Sequence, residues 1–167
     1  MSNIKSNIVL IGMPASGKST IGVQLAKWVS MGFMDTDLLV QARIGESMQN
    51  FQDKNGLDAY QALECDTVRS VVCENCVIAT GGSAVYCNSA MLHLKEIAQI
   101  VFLDVPLDGI KERIGDYSER GVVIQPGMTM EDLYQERRAL YLKYADIIIN
   151  CADKSEDDVL MDIRDSL

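Results

Sequence analysis

Residues 12–19 read Gly-Met-Pro-Ala-Ser-Gly-Lys-Ser, a match to G-x-x-x-x-G-K-[ST]. The match directly follows an apolar run, Asn7–Ile11, of strand length and opens a segment of helical character, which is the context this motif needs. Such a loop wraps a phosphate. Its glycines let the backbone turn sharply, successive N–H groups point inward, and the following helix N-terminus adds positive partial charge. Gly12, Ala15, Ser16, Gly17, Lys18, Ser19 and Thr20 are therefore candidate nucleotide-binding residues. Lys18 is expected to bridge the β- and γ-phosphates of ATP, and the Ser19 hydroxyl to bind Mg²⁺.

A strand feeding a helix through this loop fixes the rest of the architecture. Short apolar runs alternate along the chain with longer segments of helical period, the pattern of an α/β domain with a parallel sheet. Strands are expected at Asn7–Ile11, Gly32–Thr36, Val77–Ala79, Ile100–Leu103 and Ile147–Ile149. With 167 residues, 48% of them apolar, the chain can build one domain with a substantial core but not two. Leu57, Tyr60, Leu63, Glu64, Thr67, Val68, Val71 and Val72 recur at three and four residues, which predicts an amphipathic helix with Glu64 on its inward face. Thr129 with Asp132, and Ser155 with Asp158, have the form of capping boxes that start the last two helices. Residues 115–127, with glycine at both ends, one proline and no period, predict a mobile surface lid.

The second expected strand closes on Asp35-Thr36-Asp37. Period-2 alternation puts both carboxylates on one face, at the strand end where ligands bind in open parallel sheets. One can serve the metal and the other an acceptor hydroxyl, although both could instead simply cap the next helix.

Charge limits the partners. A formal net charge of −9 argues against a phosphate-backbone partner such as nucleic acid, whose binding comes largely from clustered Lys and Arg. The acidic C-terminal stretch around Asp157 and Asp162 reads as a solvated helix face. The first apolar run is too short for a signal peptide or a membrane span, so a cytosolic monomer with no membrane partner is expected. Five cysteines make an odd set, and one C-x-x-C, Cys73 to Cys76, lacks the second pair of a zinc site; reduced thiols are expected, with a redox role for Cys73 and Cys76 as the alternative. His93, Trp28 and the methionines read as packing residues.

Taken together, GMPASGKSTIG, FMDTD, a G-x-x-x-aromatic helix ending in Glu64, TGGS, a lid arginine and ERRALYLKYAD resemble the shikimate kinase family nearly end to end. The resemblance implies a three-layer P-loop NTPase-type fold, with a five-stranded parallel sheet flanked by helices, an acceptor-binding helical segment at about 38–73 and a lid. It further implies transfer of the ATP γ-phosphoryl group to a small molecule carrying a hydroxyl and a carboxylate. Asp35 would help hold Mg²⁺, Asp37 would orient and deprotonate the hydroxyl, Arg113 would lie against the adenine, and Arg120 would close onto the transferring phosphate. Gly81, Gly82, Arg137 and the residue at position 61 would contact the acceptor. The alternative reading of Arg137 is a solvated helix arginine.

Departures from the family pattern lie on the acceptor side. Gln61 stands where the family usually has arginine, Ser83 follows Gly81-Gly82 in place of a third glycine, Gln52 falls at a pocket phenylalanine, Gly121 replaces a proline, and Ala139 replaces another. Exchanging a charged arginine contact for an amide loses about 1.5–3 kcal/mol, roughly 10–150-fold in affinity for an unchanged ligand. Shikimate held by Arg137 alone thus stands beside an acceptor with an ammonium group next to its carboxylate, such as homoserine, which Gln61 near Asp58 would tolerate better. A non-catalytic nucleotide-binding module is the rival from another class. A GTPase is disfavoured because no N-K-x-D occurs, and a AAA-type motor because the chain has no room for its helical lid domain.

Overall fold

In the computed structural model, which describes residues 5–115, 122 and 124–167, five strands form one parallel sheet in the order β2-β3-β1-β4-β5. They are β1 (Asn7–Ile11), β2 (Gly32–Asp35), β3 (Cys76–Ala79), β4 (Ala98–Asp104) and β5 (Ile147–Asn150). All five fall where the apolar runs place them, with boundaries shifted by at most two residues. β1 runs through the centre and is buried along its whole length, between β3 (Val9 opposite Ile78) and β4 (Val9 opposite Ile100). A strand covered on both faces has no polar side, which is why Ile8 to Ile11 show no alternation.

Helices α1 (Lys18–Trp28), α2 (Thr36–Ile44), α3 (Met48–Asn55), α4 (Leu57–Arg69), α5 (Asn88–Ile97), α6 (Leu107–Ile114), α7 (Met130–Tyr144) and α8 (Glu156–Ser166) flank the sheet. The expected segment 38–73 divides into α2, α3 and α4. Gly45 ends α2 in the left-handed conformation at φ 72°, the usual glycine helix stop. These three helices share a small core in which Val40 and Tyr60 are buried against Ile44, Met48, Phe51, Leu57 and Leu63. Both expected capping boxes are formed, at Thr129–Asp132 of α7 and Ser155–Asp158 of α8.

One buried polar side chain ties the lower end of the sheet. Asn7 Nδ2 donates to Cys73 O and Ile97 O, and its Oδ1 accepts from Cys76 N. It thereby satisfies backbone groups at three chain crossings that would otherwise be buried unpaired.

Four expectations need correction. α4 ends at Arg69, so Val71 and Val72 lie beyond it, and Val72 is 88% exposed. Trp28, expected in the core, sits at the end of α1 and is 47% exposed, with the Arg164 guanidinium of α8 4.9 Å from its ring centroid; the cation covers part of one indole face. The five cysteines are not all thiols: Cys65 on α4 and Cys87, the N-cap of α5, form a disulfide, with Cα atoms 5.7 Å apart. Spacing along the chain carries no trace of that pairing, because it arises where two helices pack. The fourth concerns Asp37 and belongs to the site.

Candidate active site

The loop after β1 is shaped by its backbone. Gly17 holds φ 94° and Ala15 φ 62°, and a Cβ on Gly12 would come within 2.9 Å of Leu103 O. Lys18, the first residue of α1, is 8% exposed and folds its Nζ back onto Gly12 O (2.8 Å), Met13 O (2.7 Å) and Ser16 Oγ (3.3 Å). Burial lowers its pKa to about 8, against the pull of Asp37 and Asp35. Next to it, the Ser19 hydroxyl donates to Asp35 Oδ2 at 2.6 Å. A hydroxyl and a carboxylate are the hard oxygen donors that Mg²⁺ takes alongside nucleotide phosphates, so these residues fit MgATP.

The two carboxylates meet the loop by a different route from strand alternation. β2 stops at Asp35, which caps α2 by accepting from Asp37 N at 2.9 Å, so Asp37 sits in the first helical turn. Asp35 therefore both caps the helix and contacts Ser19. Asp37 turns instead into a cleft of about 510 Å³, which it lines with Lys18, Ser19, Tyr60, Glu64, Ser83 and Arg137 among others. Burial, then the neighbouring Asp35, raises the Asp37 pKa, while Lys18 pulls it down.

Arg137 is a functional candidate and not a solvated arginine: it is 1% exposed and lines the cleft. Its Nε donates to Tyr86 Oη at 3.4 Å and its guanidinium lies 5.3 Å from that ring's centroid. The loop after β3 packs against it closely, since a Cβ on Gly82 would lie 3.0 Å from Arg137 Nη1. Tyr141 Oη fixes that loop by donating to Gly82 O at 2.6 Å. A methyl group at Gly81 would overlap both Asp37 Oδ1 and Glu64 Oε1, so two carboxylates face one point over Gly81.

Arg113 reaches the loop from α6, its Nη1 3.4 Å from Ala15 O, and lines a second cavity beside Ser16 and Gly17 with Cys151, Lys154 and Ser155. Thr20 is exposed on α1. Gln61 is half-buried on α4, and neither it nor Asp58 is among the cleft-lining residues. Arg120 lies outside the described residues. The expected lid reaches the cleft through Val122.

Glu64, Tyr60, Thr80 and Ser83 join the lining without having been expected as site residues. For Glu64 the signal was present, a carboxylate on the apolar face of an amphipathic helix; for Ser83 and Thr80 there was none. Glu64 is 2% exposed and accepts a short hydrogen bond from Ser83 Oγ at Oε2. Burial raises its carboxyl to about 7, partly opposed by that bond.

The model of the family described as shikimate kinase matches residues 14–167. A shikimate kinase of Aquifex aeolicus is 35% identical over 161 residues, covering 96% of this chain and 95% of its own. One from Moorella thermoacetica is 33% identical over 164 residues, 96% of this chain and 94% of its own. The crystal structure of the Aquifex aeolicus shikimate kinase superposes with a TM-score of 0.83 at 34% identity, over 96% of this chain and 95% of that one. The Acinetobacter baumannii shikimate kinase in complex with shikimate shares the fold at a TM-score of 0.84 and 23% identity, over 98% and 93%.

Proposed function

The chain belongs to the shikimate kinase family, and on that premise we propose that it phosphorylates a hydroxyl of a small carboxylate-bearing acceptor held in the cleft between Asp37 and Arg137. As a family member it is an ATP-dependent small-molecule kinase that works with Mg²⁺. The observation that carries the acceptor reading is the joint lining of one cleft by Lys18, Asp37 and the buried Arg137. Mere nucleotide binding has no use for the last two.

Phosphoryl transfer passes through a loose transition state, so the work is positioning and charge stabilisation. The loop N–H groups and Lys18 orient the γ-phosphate, with Lys18 exchanging its bonds to the loop carbonyls for phosphate oxygens. Ser19 and Asp35 would hold Mg²⁺, which would supply charge neutralisation at the nucleotide phosphates. Arg137 takes the acceptor carboxylate and so aims the hydroxyl at Asp37. The hydroxyl oxygen forms its bond to the γ-phosphorus as the bond to the β,γ-bridging oxygen breaks. That electron pair leaves with ADP, and the hydroxyl proton passes to Asp37. A carboxylate whose pKa is raised by burial suits that role better than a fully solvated one.

Shikimate, the acceptor in the family's name, carries both groups and is the first compound to test. ADP release with MgATP should depend on the acceptor and be lost in Asp37→Asn. No acceptor-dependent release from any small hydroxy acid would overturn the reading in favour of a binding module.

A further inference from the structure

The cleft holds one carboxylate more than the transfer step uses. On the kinase reading, Lys18 serves phosphate, Arg137 the acceptor carboxylate and Asp37 the reacting hydroxyl, while Asp35, outside the cleft lining, would serve the metal. Glu64 remains. Its Oε2 is satisfied by Ser83, but Oε1 is buried and has no hydrogen-bond partner. A buried, unpaired carboxylate oxygen is costly, so a structure that keeps one has a use for it. Oε1 lies close to Asp37 Oδ1 at the wall of the cleft, since a Cβ added on Gly81 would overlap both oxygens. Gln61, one turn earlier on α4 and able to face Glu64 at that spacing, brings no charge.

We propose that Glu64 sets acceptor specificity by receiving a protonated amino group, so that the acceptor is a hydroxylated amino acid. Its hydroxyl meets Asp37, its carboxylate Arg137 and its ammonium group Glu64 Oε1. This rests on the kinase reading above and narrows it. The group assigned here is Glu64 on α4, not the exposed Asp58. The charged and titratable groups that bear on Glu64 are Asp37, Arg137, Lys18 and Tyr60, with the Ser83 hydroxyl at Oε2. Since burial lifts its carboxyl to about 7, an ammonium partner favours the ionised form, and use of the amino acid improves as pH rises from about 6 to 8.

Homoserine and 4-hydroxybutyrate differ only in the amino group and form a matched pair. With the purified full chain and MgATP, kcat/KM for homoserine should exceed that for 4-hydroxybutyrate by about 10–150-fold, the range of a hydrogen bond to a charged group. Glu64→Gln should bring the ratio to within about threefold of one. Equal values in the wild type, or a preference that survives Glu64→Gln, overturn the proposal. The wild-type comparison decides even if the variant fails to fold. Turnover of shikimate with no calorimetric binding of homoserine would refute the amino-acid acceptor and leave the kinase reading standing. Turnover of none of the three, nor of any other small hydroxy acid, would remove both.

Discussion

Ser19 Oγ and Asp35 Oδ2 lie 2.6 Å apart across sixteen residues of sequence, which brings the first turn of α1 and the end of β2 together at the proposed metal site. Asp35 also caps α2 through its other oxygen. The two roles can be separated, because asparagine caps a helix as well as aspartate does. Asp35→Asn should keep its thermal stability within about 1 kcal/mol of wild type. It should nonetheless need at least about tenfold more Mg²⁺ for half-maximal rate, as a lost second-sphere or ligand carboxylate does elsewhere. A Mg²⁺ titration of initial rates checks this; an unchanged requirement would reduce Asp35 to a cap.

On the proposed mechanism Asp37 takes the hydroxyl proton and does not contact the nucleotide. Asp37→Asn should lower kcat by about 10²–10⁴-fold while leaving MgADP affinity within about twofold, judged by calorimetry. Equal loss of nucleotide affinity would move Asp37 from chemistry to structure.

Lys18 must be charged to hold phosphate, and burial has lowered its pKa to about 8 in the free protein. The kcat/KM for MgATP should therefore fall as pH rises through about 8, approaching a tenfold loss per unit, since this ratio reports the free enzyme. Lys18→Arg should be less active yet lose that slope, because guanidinium does not titrate in this range.

Glu64 ionises near 4.5 when unfolded but at about 7 in the folded protein, since burial disfavours its charge. Between those values the unfolded state binds fewer protons, so this group's contribution to stability falls as pH rises from about 4.5 to 7. The full loss is on the order of 3 kcal/mol. Urea denaturation should find Glu64→Gln more stable than wild type at pH 8 and nearly equal at pH 4.5. The reverse order would show that Glu64 is paired in the free protein.

The Cys65–Cys87 bond closes a separation of 22 residues. The denatured, unreduced chain should titrate three thiols, those of Cys73, Cys76 and Cys151, and reduction should cost about 3 kcal/mol of stability by loop-closure entropy. Five thiols would show the bond to be absent.

What the sequence determined by itself is local or periodic. The Gly12–Ser19 motif specifies φ values and a ring of N–H groups that only such a loop can supply. The apolar runs of β1, β3 and β4 follow from burial on both faces, and the boxes at Thr129 and Ser155 satisfy donors three residues away. Even the meeting of Asp35 and Asp37 was legible, although helix capping and not strand pleating produces it. The acceptor half of the cleft depends on residues far apart in sequence: Asp37, Glu64, Gly81 and Arg137 come from α2, α4, the loop after β3 and α7. Whether Arg137 is solvated or buried, whether Glu64 keeps a free oxygen, and whether Cys65 meets Cys87 are set by how those helices pack. Packing distributes its energy over many contacts between distant segments, so no short stretch of sequence carries it.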